Sequence, residues 1–310
     1  MKVKEFLEKY EKEKDRYKNS PICHLVMTPF TGLGKYGQRS DDWFRHRIKI
    51  FKEMTVKSLQ NQTNQFFVHW VTWRPEEQEN RLVQELFKDL CTMEWRTVFT
   101  FGGLCFWDDK FNDTEEKNLL KRLKDSLPSL KDIVGDAQYV YETILASDDM
   151  YHKDVIESIQ QQPFAYKRAL IHWNGYLNDV NTGRIAEWKP TQPGHLPPFY
   201  TIMYPADVFL DPKKHFDYLK GYQSHEHIEK LFDCIRLPDG RYCVNTHGRN
   251  LSTSWEGYNP QGRTKHDFIG EEFTDEKEKE SILKEFGICQ KLPASSQPSE
   301  DQPSIEPSKA

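Results

Sequence analysis

The chain has 310 residues, 37% hydrophobic and 29% charged, with 19 Phe, 14 Tyr and 8 Trp, which suits one large α/β unit with a real core and excludes a disordered chain. A formal net charge of -5 argues against a sequence-independent nucleic-acid binder, which needs a basic face to displace counterions from phosphates. Six cysteines without C-x-x-C spacing argue against a zinc knuckle or a disulfide scaffold.

Residues 1–20 are dense in Lys and Glu and read as a charged helix, without the apolar run of a secretory leader. No apolar stretch approaches the ~18–20 residues that cross a bilayer, so a cytoplasmic protein with no membrane span is expected. After Pro21, Ile22 to Met27 is a continuous apolar run, the pattern of a strand buried on both faces. A loop with Gly32, Gly34 and Gly37 follows, then a helix over 41–60 carrying Trp43, Ile48, Phe51, Met54 and Leu59. Phe66 to Val71 predicts a second strand.

Arg74-Pro75-Glu76-Glu77 predicts a helix start, continuing to about Leu90, because proline and acids both suit a first turn. Thr97 to Phe101 predicts a third strand, Asp113 an N-cap for a helix over 115–124, and Tyr139 to Leu145 a fourth strand. A helix over 153–161 and a strand over 169–173 follow, and four prolines between Pro190 and Pro198 exclude regular structure. Strand and helix alternate in the first half, which implies a mostly parallel central sheet flanked by helices. The second half reads as more irregular, and residues 291–310, rich in Pro, Ser, Gln, Glu and Lys, read as a disordered tail. The division is therefore 1–20, then one domain over 21–290 with halves 21–150 and 151–290, then the tail.

Ser147-Asp148-Asp149 directly follows the fourth strand, and the carboxyl ends of parallel strands are where such sheets bind ligands. Adjacent carboxylates repel, and a shared cation relieves this; oxygen ligands favour Mg2+ or Mn2+. The alternative is that either acid merely caps a helix starting near Tyr151. His247, after the strand-like Tyr242 to Thr246 and before Gly248, is a candidate metal or phosphate ligand or else an ordinary hydrogen-bonded histidine. Arg249 is a candidate phosphate partner or a solvated charge.

Three stretches resemble the rhamnosyltransferase family, whose relatives have the GT-A nucleotide-sugar transferase fold. The first is Trp43-Phe44-Arg45-His46-Arg47 with Ile50-Phe51 and Ser58 to Phe66, similar to a W-x-x-x-R…F…PSL-x-x-Q-T-x-x-x-F block. The second is Leu145 to Met150, similar to L-D-x-D-D; the third is Asn245 to Asn250, similar to V-x-H-G-x-N, with Pro198 to Ile202 resembling P-F-x-S-L. Ala146 stands where the first acid of D-x-D-D belongs, and Lys57 replaces the proline before Ser58.

The resemblance implies a GT-A-like fold in which Ile22 to Met27 and the Thr28-Pro29-Phe30 loop help hold the nucleotide of a nucleotide-sugar donor while Asp148 and Asp149 face its diphosphate; Arg47 and Arg249 are expected as further donor contacts. Asp148 and His247 are the expected ligands of Mn2+ or Mg2+, and Asp149 is expected in a catalytic role. An acceptor hydroxyl needs a general base, for which Glu226 and Asp207 are candidates; Glu226 lies in His225-Glu226-His227, whose spacing fits no helical zinc motif. Trp173, Asn174 and Tyr176 combine rings, an amide and a turn, as an acceptor lip for a carbohydrate would, and Trp188, Phe199 and Tyr200 lie nearby in sequence. The expected activity is metal-dependent transfer of a rhamnosyl or other hexosyl group from a nucleotide sugar to a carbohydrate or related acceptor. The alternatives are a degenerate glycan- or nucleotide-binding protein and a metal-dependent phosphoesterase or nucleotidyltransferase.

Overall fold

The computed structural model describes residues 20–31, 39–102, 120, 123–190, 197–222, 225, 228–250, 253, 255 and 268–289. The charged N-terminal segment, the glycine loop after residue 31, the Asp113 cap and the 291–310 tail lie outside them.

Strand β1 (Ile22–Pro29) is central, as its apolar run predicts. Cys23, Leu25 and Met27 face one core and Val26 the other, so the strand is buried on both faces. It pairs in parallel with β2 (Val68–Thr72) and β4 (Tyr139–Ile144), and β2 pairs in parallel with β3 (Arg96–Thr100). The second half extends this sheet through β6 (Arg168–His172), β9 (Tyr200–Pro205) and β10 (Asp233–Leu237), giving the order β10-β6-β9-β4-β1-β2-β3. Only β9 runs antiparallel, so the molecule is α/β with a mostly parallel central sheet. The chain moves outward from β1 to β3 and then returns to place β4 on the other side of β1. The β1/β4 crevice is thus the switch point at which ligands collect beyond the strand ends.

Helices cover both faces. Helix α1 (Asp41–Phe51) starts at Ser40, whose hydroxyl accepts from the Trp43 N–H, with Asp41 and Asp42 in the first turn. It runs through a π-helical turn, Lys52–Val56, into α2 (Lys57–Gln60). Lys57 keeps an N–H that bonds the Met54 carbonyl, which a proline would lack. The predicted helix from Pro75 to Leu90 is instead a 3-10 turn, Pro75–Glu77, and a separate α3 (Arg81–Leu90). The physical reason is Asn80, whose side chain accepts from the Leu82 N–H and restarts the helix. On the other face lie α4 (Pro128–Val134), α6 (Ala206–Leu210) and α7 (Pro212–Tyr218), while α5 (Val155–Gln160) packs with α1 and α3.

The second half is more regular than its sequence implied. It forms a five-stranded sheet in the order β12-β8-β7-β11-β5, from β5 (Met150–Tyr151), β7 (Gly175–Asp179), β8 (Ile185–Trp188), β11 (Tyr242–Thr246) and β12 (Ile269–Phe273). Leu177, Ala186, Tyr242 and Val244 pack it into the same core as α1. At Gly175 an added Cβ would meet the Tyr242 carbonyl oxygen at 2.4 Å, so glycine permits the close approach of β7 to β11. After α8 (Ile228–Leu231), the chain returns through β10 to β11, and α9 (Glu276–Glu285) follows β12. No helix among the described residues is long and apolar enough to cross a membrane.

Candidate functional site

At the carboxyl ends of β1 and β4 the chain builds a cavity of about 190 Å3. Its lining combines the aromatic rings of Phe30, Trp43, Trp188 and Phe199 with Arg39, Arg47, Arg249, Asp148 and Asp149. The Arg39 guanidinium sits 4.3 Å over the Trp43 ring, and Arg47 is the arginine that meets Asp148. Phe30 is held by stacking on Trp73 at 4.3 Å and by an edge contact with Phe51 at 5.2 Å.

Asp148 and Asp149 are each 7% exposed. Neither caps a helix: Met150 and Tyr151 are in a strand, and the residue before α5 is Asp154. The acidic loop is clamped from two sides. From the π-helical turn, the Thr55 hydroxyl donates to the Asp149 carbonyl at 2.8 Å. From the end of β11, the Asn245 N–H donates to Asp149 Oδ1 at 3.0 Å and the Asn245 amide to the Asp148 carbonyl at 2.6 Å. Gly248, at a φ of 78°, turns the chain so that Asn250 folds back. Its amide then donates to Asp148 Oδ2 at 3.1 Å and to the Asn245 carbonyl at 2.7 Å, while its own oxygen accepts from the His247 N–H at 2.7 Å.

Arg47, one face of α1 away from solvent, completes the network. Its Nη1 donates to Asp148 Oδ2 at 2.8 Å and its Nε to the Ser147 hydroxyl at 3.0 Å. His247 Nε2 lies 3.1 Å from Arg47 Nη1 and 3.3 Å from Asp148 Oδ2, and its Nδ1 lies 3.2 Å from His46 Nε2. One imidazole of the pair must donate and the other accept, so the His46 tautomer fixes that of His247. Burial, followed by the nearby charges of His247, Arg249 and Arg47, pushes His46 down to about 4, so it is neutral at physiological pH. Burial alone would push the Asp148 carboxyl up, but the Arg47 charge and the His247 and Arg47 hydrogen bonds outweigh it and hold the group well below the usual carboxylate range.

The sequence-predicted residues separate into two sets. Pro29, Phe30, Arg47, Asp148, Asp149 and Arg249 line one cavity, with His247 directly behind Asp148 and Arg47. Arg249 also pairs with Asp42 at 2.9 Å. Thr28 turns away, its hydroxyl 3.0 Å from His69 Nε2. Asp207 lies beyond β9 at the end that pairs with Tyr139, the start of β4 and thus the opposite edge of the sheet, where it bonds Lys214 at 2.7 Å. Glu226 lies outside the described residues, although its neighbour His225 lines the cavity.

The predicted acceptor residues are elsewhere. Trp173 follows β6 with the Arg236 guanidinium 4.5 Å above its ring, Asn174 donates to Asp239 at 3.0 Å, and Tyr176 packs against Phe273 and Phe286. The aromatic residues at the cavity are instead Trp188 and Phe199, with Trp43 contributed by α1. The sequence reading missed Asn245, Asn250, Ser147 and Thr55 as clamps; only the N-x-H-G-x-N spacing of the first two gave any signal.

The donor set also bears on a divalent ion. Asp148 Oδ2 already faces Arg47, His247 and Asn250, and among the described residues no group of three or more His, Cys, Asp and Glu side chains is placed to hold an ion. The described residues therefore do not fit the metal that the resemblance implies.

A second, larger cavity of about 590 Å3 lies between α3 and the edge strand β3, and none of its described lining residues is a carboxylate.

No known family profile matches the chain, and no curated protein matches its sequence. Among solved structures, it is similar to S. aureus TarS 1-349 in complex with UDP at 11% identity and a TM-score of 0.35, over 72% of this chain and 60% of that one. It is also similar to a candidate nucleotide-diphospho-sugar transferase from Desulfovibrio desulfuricans G20 at 15% identity and a TM-score of 0.34, over 86% of this chain and 98% of that one. Likenesses this distant carry no argument about the chain, whose fold class rests on its own strand order.

Proposed function

We propose that the chain is a nucleotide-sugar-dependent glycosyltransferase with a GT-A-like fold, with the donor diphosphate bound in the cavity at the ends of β1 and β4. The observation that carries this reading is the lining. Three arginines and two aspartates line it together with the rings of Phe30, Trp43, Trp188 and Phe199, so the cavity favours an anion attached to a ring. At about 190 Å3 it is below the roughly 300 Å3 of a pocket that encloses a small ligand, so it takes the diphosphate and one ring and leaves the rest of the donor outside.

When the bond between the sugar C1 and the phosphate oxygen breaks, charge builds on the leaving nucleoside diphosphate, and guanidinium groups aimed at it lower the barrier. Arg47 and Arg249, which both line the cavity, are our candidates for that role. Asp149, held by the Asn245 N–H, has its carboxylate at the cavity and is the described candidate to orient the sugar or take the acceptor proton. The donor is a hexosyl or deoxyhexosyl nucleotide, rhamnose included, and the acceptor a carbohydrate. One feature favours a second reading as a binding protein without turnover: Ala146, an apolar side chain, lines the cavity where the related motif carries an acid.

A thermal-shift panel with UDP-, dTDP- and GDP-sugars tests the donor site, because a ligand that binds only the native state raises Tm. Stabilisation by one nucleotide class, lost in Asp149→Ala, supports it. Acceptor-dependent release of that nucleoside diphosphate separates transfer from mere binding, and phosphate release without acceptor would identify a phosphoesterase. A flat panel would refute the donor site.

A further inference from the structure

We infer that Arg47 supplies, as a fixed side chain, the positive charge that a divalent ion brings to other acid-pair sites, so that this site binds its diphosphate without a metal. This rests on the donor-site reading above. A cation approaching Asp148 Oδ2 finds that oxygen already facing Arg47 Nη1 at 2.8 Å, Asn250 Nδ2 at 3.1 Å and His247 Nε2 at 3.3 Å. To coordinate there it must displace a guanidinium, which would leave that charge buried and unpaired, and a buried charge without a counter-ion is strongly unfavourable. Asp149 Oδ1 accepts the Asn245 N–H at 3.0 Å, and among the described residues no third His, Cys, Asp or Glu joins the two aspartates to complete an ion site.

Arg47 is also organised to do the metal's work. Nε is fixed on the Ser147 hydroxyl and Nη1 on Asp148, while Nη2 has no hydrogen-bond partner among the described residues and the side chain lines the cavity. A guanidinium pinned by two of its nitrogens presents the third without further loss of side-chain freedom. A phosphate oxygen at Nη2 gains a charge-assisted hydrogen bond that needs no ion. Asp148 then acts as the positioning residue for Arg47 rather than as a ligand.

The test uses the full chain and two readouts. Titration with Mn2+ alone, followed by the loss of the free-ion paramagnetic signal, is expected to show no stoichiometric binding in the micromolar range. The Tm shift given by UDP, dTDP or GDP is expected to be the same in EDTA as in Mn2+. Arg47→Gln is expected to lose that shift and to gain Mn2+ uptake, since it frees Asp148. If this variant does not fold, Arg47→Lys serves: the charge stays but the planar fork is lost, so nucleotide affinity falls about tenfold with still no Mn2+ uptake. Micromolar Mn2+ binding by the wild-type protein that Asp148→Asn abolishes would overturn the inference, as would a nucleotide shift that EDTA removes. Either result would leave the donor site intact. If no nucleotide binds with or without Mn2+, the donor site itself is refuted and the inference falls with it.

Discussion

Glu142 and Asp148 are buried acids six residues apart, one inside β4 and the other just past its end. Glu142 is 3% exposed, and its carboxyl accepts from the Tyr204 hydroxyl at 3.0 Å. Burial pushes it up to about 7, with the tyrosine hydrogen bond pulling weakly the other way. Asp148 is equally buried but meets a guanidinium, an imidazole and an amide, and its carboxyl is held down. Burial therefore does not decide whether an acid in this protein is charged; the partner does. The strand interior keeps a near-neutral acid that serves packing, and the strand end keeps an ionised one with a cation facing the cavity.

Breaking the pair at the strand end gives the largest effect. Arg47→Met leaves Asp148 buried without a cation and is expected to destabilise the fold by about 3–5 kcal/mol in urea unfolding. The double variant Arg47→Met with Asp148→Asn is expected to recover part of that loss, because the uncompensated charge is gone. A double variant no more stable than Arg47→Met alone would show that the packing of Arg47, not its charge, carries the effect.

Glu142 sharpens the other side of the comparison. Its folded pKa is above the unfolded value, so its contribution to stability is full below about pH 4.5 and is lost as pH rises through about 7. The amount is about 3 kcal/mol, and Glu142→Gln is expected to remove that slope. The buried His24, His69, His172 and His215, all pushed down by burial to between about 3 and 4, run the opposite way and lose stability as pH falls below 6.5. The difference between wild type and Glu142→Gln, measured from pH 5 to 8, isolates the glutamate; parallel profiles would contradict its assignment.

Smaller effects follow from the clamps and from the far edge. Asn250→Ala removes three hydrogen bonds around the acidic turn and is expected to cost about 1–3 kcal/mol and to weaken nucleotide binding. Asp207→Asn touches only the exposed pair with Lys214 and is expected to change stability by less than about 0.5 kcal/mol and nucleotide binding not at all. A lost activity in Asp207→Asn would mean that the proposed site lies at the wrong end of the strands.

The sequence made the parallel framework legible because β1, β2 and β4 are apolar runs whose neighbours in the sheet follow from strand-helix alternation. It also placed Asp148 and Asp149 at a strand end, which the β1/β4 switch point makes meaningful. The pairing of Arg47 with Asp148 was not legible from the residues alone, since 101 positions separate them and no local periodicity reports a contact of that range. The five-stranded sheet was hidden for a related reason. Its strands are two to five residues long, and β5 finds its partner in β11 some ninety residues away. Aromatic content did not show which rings line the cavity, because a tryptophan covered by Arg236 and a tyrosine packed on Phe273 look the same in sequence as rings that face it.

The most direct test of the donor site is a crystal structure with the nucleotide that stabilises the protein most. The account predicts the diphosphate at the ends of β1 and β4, with a phosphate oxygen in hydrogen-bond contact with Arg47 Nη2. A nucleotide lodged instead in the groove between α3 and β3, with Arg47 still facing an empty cavity, would contradict it.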